Sequence, residues 1–268
     1  MELSPDSDTR HDASTATIRL QRLKRAYRAV SRLVSTAVID RILNVDTAQR
    51  VDLAQLELNA PDRVSYEAAG WRELRRILRP AEVSGDDVFL DLGSGKGRII
   101  LLAARYRFRR VIGVEIAEPL IAVARRNVAG CRLRPRCGEI EFVNADVLHY
   151  RIPDDVTVVY MFNPFGGAVF DAAIGELIAS VDRRPRRVRV IYRNGRNSER
   201  LTRTGRFRLM RESLGLRPGL SWREATAVRL FVMEPCAPAA RADQRFTARR
   251  APSGREEQRT RGDRHAAG

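Results

Sequence analysis

Positions 1–16 are polar, mix acidic with basic residues and show no apolar period, so this stretch reads as disordered. A helical pattern then covers 18–42. Leu20, Leu23, Tyr27, Val30, Val34 and Ala37 step by three and four and share one face. Arg22, Arg25, Arg28 and Arg32 fall opposite. Such a basic amphipathic helix can lie against the main domain, or offer a surface to an anionic partner or membrane. Shorter helical patterns follow over 47–58 and 64–78, punctuated by Pro61 and Pro80. Beyond Pro80 the texture changes. Apolar runs at 88–92, 111–115, 140–143, 157–162 and 187–192 alternate with helical patterns at 99–106, 117–128 and 172–181. This alternation predicts an α/β fold, a doubly wound and mostly parallel sheet covered on both faces. The last two runs, 207–214 and 225–233, have only a loop around Pro218-Gly219 between them. They predict a C-terminal antiparallel hairpin at the sheet edge and bring the strands to seven. The chain thus divides into a polar segment with a helical extension (1–60), a domain (61–236) and a disordered basic tail (237–268).

Composition narrows the class. Apolar residues make up 44% of 268, enough for a core, and aromatics only 6%, so that core is aliphatic. No apolar run approaches the ~20 residues of a membrane-spanning helix. The N-terminal residues have no apolar stretch of the kind that marks a secretory leader. Cys131, Cys137 and Cys236 are too few and too irregular for a disulfide framework or a zinc site. A cytoplasmic protein is the expectation. The net charge of +16 raises the question of nucleic acid. However, Lys24 and Lys96 are the only lysines among 49 basic residues. A GC-rich coding sequence produces the same arginine bias, and no single block dominates the charge. Nucleic acid is therefore possible but not favoured.

The most informative stretch is Asp91-Leu92-Gly93-Ser94-Gly95-Lys96-Gly97-Arg98, which follows a strand and opens a helix. Glycines at such a junction let a ligand approach the backbone beside a helix N-terminus. A phosphate-binding P-loop needs Ser or Thr after its lysine, and Lys96 is followed by Gly97. A dinucleotide fingerprint needs a glycine where Arg98 stands. The spacing present is acid-x-G-x-G-x-G. A carboxylate two residues before the first glycine repels a pyrophosphate but suits a cationic amino group.

With these residues the chain resembles the class I, Rossmann-like S-adenosylmethionine-dependent methyltransferases, over about 64–233. The first family motif matches 88–98 and the second matches Val111-Ile112-Gly113-Val114-Glu115. The third matches Asn144-Ala145-Asp146, and the fourth Tyr160-Met161-Phe162-Asn163-Pro164-Phe165. The resemblance implies S-adenosyl-L-methionine as cofactor and a crevice at the strand ends. The backbone of Gly93, Ser94, Gly95 and Gly97 would lie against the methionine and ribose, with Asp91 near the amino-acid moiety. Glu115, with Ile116 beside it, would accept from the ribose hydroxyls, since a carboxylate offers two acceptor oxygens. Asp146 would accept from the adenine amino group, while Val147 would donate its amide. Asp146 also suits a helix N-cap. Arg98 could reach the methionine carboxylate or an acidic substrate, and Lys96 and Arg98 could equally be ordinary surface. Tyr66 could approach the methionine end, Trp71 is expected to pack in the core, and His149 receives no catalytic role.

Methyl transfer from a sulfonium is a direct displacement, in which alignment and desolvation supply much of the effect. An acceptor hydroxyl wants a nearby base, and none stands at the fourth motif. Asn163, Pro164 and Phe165 are the candidate catalytic set. They resemble the N-P-P-[YF] motif of amino-group methyltransferases, where the asparagine oxygen accepts from the target NH2. Here there is one proline, and the aromatic comes one residue early. The expectation is N-methylation of an amine such as a protein side chain. The alternatives are a small-molecule or nucleic-acid methyltransferase, or a non-catalytic binding module with this fold.

Overall fold

The computed structural model describes residues 37–51, 66–162, 167–193, 197–214 and 227–235. Seven strands, β1 (Val88–Leu92), β2 (Arg110–Glu115), β3 (Glu139–Asn144), β4 (Val158–Phe162), β5 (Val188–Arg193), β6 (Phe207–Ser213) and β7 (Val228–Met233), form one sheet. Their order is β3-β2-β1-β4-β5-β7-β6. The first five run parallel, and β7 inserts antiparallel between β5 and β6. Helices α1 (Glu73–Ile77), α2 (Arg98–Ala103), α3 (Glu118–Gly130), α4 (Gly167–Arg183) and α5 (Ser198–Arg203) complete the domain. The expected α/β class, parallel majority and edge hairpin are all present. The sequence pattern missed α5, whose six residues carry a single buried side chain, Leu201. One apolar residue cannot set up a helical period.

β1 is buried at every position, because a central parallel strand is covered on both faces. Val88, Leu90 and Leu92 point to one core with Val159, Met161, Phe170 and Leu177. Phe89 points to the other, with Leu74, Ile77, Ile100, Tyr160 and Ile191. Asp91 alternates with Leu90 and so lies on the second face. β3 is an outer strand and only partly buried.

The N-terminal elements depart from the sequence pattern. Of the helix expected over 18–42, residues 37–43 are described and helical. That helix ends at Asn44, whose φ of 58° is a left-handed stop. The chain then folds back, with the Thr47 amide donating to Asp40 Oδ2 at 2.6 Å. Residues 47–51 are therefore not helical, and the rest of the 47–58 pattern lies outside the described residues. The 64–78 pattern reduces to α1, since Tyr66 pairs antiparallel with Val51. The tail at 237–268 and Cys236 lie outside the described residues. No described helix is long and apolar enough to cross a membrane.

Candidate active site

The loop after β1 folds over the end of β2, because the Gly93 and Ser94 amides both donate to Val114 O at 2.9 Å. Gly93, Gly95 and Gly97 have φ values of 83°, 52° and 82°, a region L side chains avoid. Gly95 has a second reason. A Cβ there would stand 2.2 Å from a ring carbon of Tyr66. The Tyr66 ring therefore lies directly on the loop, and its hydroxyl donates to Thr47 O at 2.9 Å. Burial pushes the Tyr66 hydroxyl well above its ordinary pKa.

Two carboxylates flank the loop. Asp91 is 2% exposed. No donor among the described residues meets it; burial, and then the neighbouring Glu115, hold its pKa well above the carboxylate range. Glu115 is better supported. Its Oε2 accepts from the Gly95 amide at 2.8 Å and its Oε1 from the Ala117 amide at 3.1 Å. Burial still raises its pKa, against these backbone bonds. Each oxygen retains acceptor capacity. The Asn144 amide group donates to the carbonyls of Glu115 (3.1 Å) and Ile116 (2.9 Å), which ties the end of β3 to the end of β2. Asp146 follows β3 and accepts from the Leu148 amide at 3.0 Å, so it caps a turn rather than a helix. Val147 is partly buried against the core, and His149 is exposed. The topology thus carries Asp91, Glu115 and Asp146 on three adjacent parallel strands or just beyond them, at one end of the sheet.

The loop's two cations are placed differently from the expectation. Arg98 is 2% exposed and donates to Thr47 Oγ1 (2.7 Å), Ala69 O (2.8 Å) and Asp40 Oδ1 (3.0 Å). Its guanidinium also lies 4.8 Å from the Trp71 ring centroid. Trp71 Nε1 donates to the same Asp40 oxygen at 3.0 Å. Arg98 is therefore buried and bonded to three groups inside the protein rather than lying on the surface. The reason is Asp40, whose complementary charge arrives from 58 residues upstream. Lys96 is likewise held, by both oxygens of Asp46 at 3.1 Å. Asn127 of α3 accepts from the Asp46 amide and donates to Asp46 O and Lys96 O. Asp40, Asp46, Thr47 and Asn127 were not read from the sequence as site residues. Only Asp40 left a signal, an acid inside the apolar run Ala37-Val38-Ile39-Asp40-Arg41-Ile42-Leu43.

The fourth motif is described as far as Phe162; Asn163, Pro164 and Phe165 lie outside the described residues. Beside Phe162 stands Arg193 of β5, its guanidinium 3.9 Å from the ring centroid. Arg193 and Glu73 form an ion pair at 3.3 Å, with side chains 7% and 3% exposed. These two residues were also missed, because nothing in the sequence couples a strand end to a helix 120 positions away. Among the described residues no group of three side chains could hold a metal ion.

Residues 89–184 match the family model described as a methyltransferase domain. A protein-lysine N-methyltransferase of Saccharolobus islandicus is 34% identical over 102 residues, 37% of this chain and 60% of that protein. A demethylmenaquinone methyltransferase of Thermus thermophilus is 33% identical over 112 residues, 40% of this chain and 47% of that protein. Ribosomal RNA small subunit methyltransferase A of Acidothermus cellulolyticus is 36% identical over 101 residues, 36% of this chain and 33% of that protein. The chain spans between a third and three-fifths of the length of these relatives. The matched segment contains the glycine loop after β1, the acids at the ends of β1 and β2 and the acid just beyond β3, so over this part the chain is similar to a methyltransferase domain.

Proposed function

We propose that this protein is a methyltransferase that binds S-adenosyl-L-methionine along the carboxyl ends of β1, β2 and β3 and methylates an amine. The observation that carries the reading is the pair of buried acids around a loop of left-handed glycines, one acid without a donor among the described residues and the other held by backbone amides. These residues fit the cofactor. Asp91 offers an uncompensated carboxylate to an ammonium group. Glu115 is fixed by two amides and keeps lone pairs for a diol. Gly93, Gly95 and Gly97 supply backbone without side-chain bulk, and Ser94 Oγ is a buried hydroxyl with no hydrogen-bond partner among the described residues. Asp146 and Val147, with Ile116, stand where the adenine end would lie. When bound, the cofactor supplies an electrophilic methyl group.

What the chain contributes is alignment and a dry site. Asp91 would hold the ammonium and Glu115 the ribose, which would orient the methyl group toward an acceptor at the end of β4. Asn163 at that strand end would accept a hydrogen of the target amine and aim the nitrogen lone pair, with Pro164 and Phe165 shaping its surroundings. The curated relatives are named for lysine, quinone and ribosomal RNA substrates. Lack of a histidine or acid in Asn163-Pro164-Phe165 favours an amine over a hydroxyl.

Calorimetric titration tests the cofactor. S-adenosylmethionine binds and S-adenosylhomocysteine competes, and Glu115→Ala weakens binding by about 1–3 kcal/mol. Equal binding of NAD or ATP would sink the assignment. Radiolabelled methyl transfer into cell extract identifies the acceptor. Asn163→Ala is expected to slow that transfer by about 10–1000-fold with little change in cofactor affinity. Base-labile methyl esters as product would rule out the amine.

A further inference from the structure

On the second face of the sheet, Asp91 and Tyr160 sit side by side at one register, and Phe162 and Arg193 sit side by side two residues nearer the carboxyl ends of their strands. Tyr160 is opposite Asp91 in the β1–β4 ladder, and Phe162 is opposite Arg193 in the β4–β5 ladder. Among the described residues, several buried polar atoms in this patch and on the helix beside it have no hydrogen-bond partner: Tyr160 Oη, Arg193 Nε and Nη1, and Glu73 Oε1. Glu73 Oε1 is near enough to Arg193 Nε to neutralise part of its charge, but not in hydrogen-bond geometry. Each such group costs about 1–3 kcal/mol when left unmet, so four together need an explanation. This place is also the topological switch point, since β2 and β3 lie on one side of β1 and β4 and β5 on the other. Open α/β sheets bind their ligands there.

The buried cations narrow the choice. Lys96, Arg98 and Arg193 are the three buried among the described residues. Lys96 is taken by Asp46, and Arg98 by Asp40, Thr47 and Ala69. Arg193 alone retains open donors. Ile191 is the β5 residue level with Asp91, so Arg193 lies two strands away and two residues further along, roughly 11–12 Å from Asp91 by strand spacing and rise, a gap that a long guanidinium side chain and a bound amino acid can bridge. An acid and an arginine on one face, the first without a donor and the second under-partnered among the described residues, complement the two charges of an amino acid.

We propose that Arg193, with the Tyr160 hydroxyl, receives the α-carboxylate of the cofactor's methionine while Asp91 receives its ammonium. This rests on the S-adenosylmethionine reading and adds to it the residue that separates the complete cofactor from its decarboxylated form. Nη1 and the phenol hydroxyl donate to the carboxylate oxygens, and Glu73 and the Phe162 ring hold the guanidinium in place. The arrangement explains why the loop's own arginine can be committed to Asp40.

The test compares S-adenosylmethionine with decarboxylated S-adenosylmethionine, which keeps the ammonium and the nucleoside. Calorimetry on the full chain is expected to show wild type preferring the complete cofactor by roughly 10–100-fold, the range for charge-assisted hydrogen bonds. Arg193→Gln abolishes the preference while leaving affinity for the decarboxylated form within a few-fold. Arg193→Lys keeps the charge without the fork and restores part of it, which a merely structural role would not do. A wild-type protein that binds both ligands alike overturns the inference without touching the cofactor assignment, and needs no variant to fold. A folded Arg193→Gln or Arg193→Lys protein with the full wild-type preference overturns it too. Binding of neither ligand overturns the cofactor reading itself.

Discussion

Asp91 is the residue at which the physics of the free and the bound protein pull apart. Burial raises its pKa, so between the ordinary carboxylate range and that raised value the folded chain binds a proton that the unfolded chain does not. Its contribution to stability is therefore full at low pH and is lost as pH rises through the raised value. A bound ammonium reverses the preference and expels the proton. Affinity for S-adenosylmethionine is expected to fall as pH is lowered through that value. Calorimetry in buffers of different ionisation heat should register proton release. Asp91→Asn should raise the melting temperature of the free protein, weaken binding at least tenfold and flatten its pH dependence. A wild-type affinity independent of pH would show that Asp91 does not meet the ammonium.

Between elements, the decisive contact is the one that residues 37–51 make with the glycine loop and α2. Arg98, at the first position of α2, is paired with Asp40 in a nearly dry setting. Removing one partner of a buried pair costs about 3–5 kcal/mol, because the other charge is left uncompensated. Urea denaturation of Asp40→Ala should show a loss of that size. The double variant Asp40→Leu/Arg98→Met should recover much of it, since no orphaned charge remains. Gly95→Ala makes a separate demand on the same contact. Its φ and the Tyr66 ring both oppose a Cβ, so the ring must leave the loop. The variant should lose both stability and cofactor affinity, whereas Gly85→Ala, with open space around it, should change neither.

Across the whole molecule, charge is the property that bears on the acceptor. The net +16 sits on a surface where many arginines are already paired: Arg109 and Arg110 with Asp155, Arg183 with Asp154 and Glu176, Arg206 with Asp182. Salt dependence bears on the acceptor. Transfer to nucleic acid would fall steeply with ionic strength, as counterions are released from each phosphate contact. The label in the extract experiment should instead survive nuclease, disappear with protease and vary little between 50 and 200 mM salt. Loss to nuclease would move the acceptor to RNA or DNA.

Much was legible in the sequence because it depends on local order. The apolar runs from 88 to 192 alternate with helical patterns, and a parallel sheet follows from that alternation alone. The acid and three glycines of 91–97 lie close together in the sequence, so a loop open to a ligand was legible there, while its left-handed backbone came with the fold. Tertiary structure decided what depends on charges meeting across long separations. Asp40 and Arg98 are 58 residues apart, and only their meeting in the fold shows why this arginine is buried. Arg193, Tyr160 and Glu73 come from a strand end, a central strand and a short helix, and no periodicity relates them. A pattern in the sequence records which face a residue turns to. Only the fold records which charges are satisfied there, because burial and partner are set by elements that arrive from elsewhere in the chain.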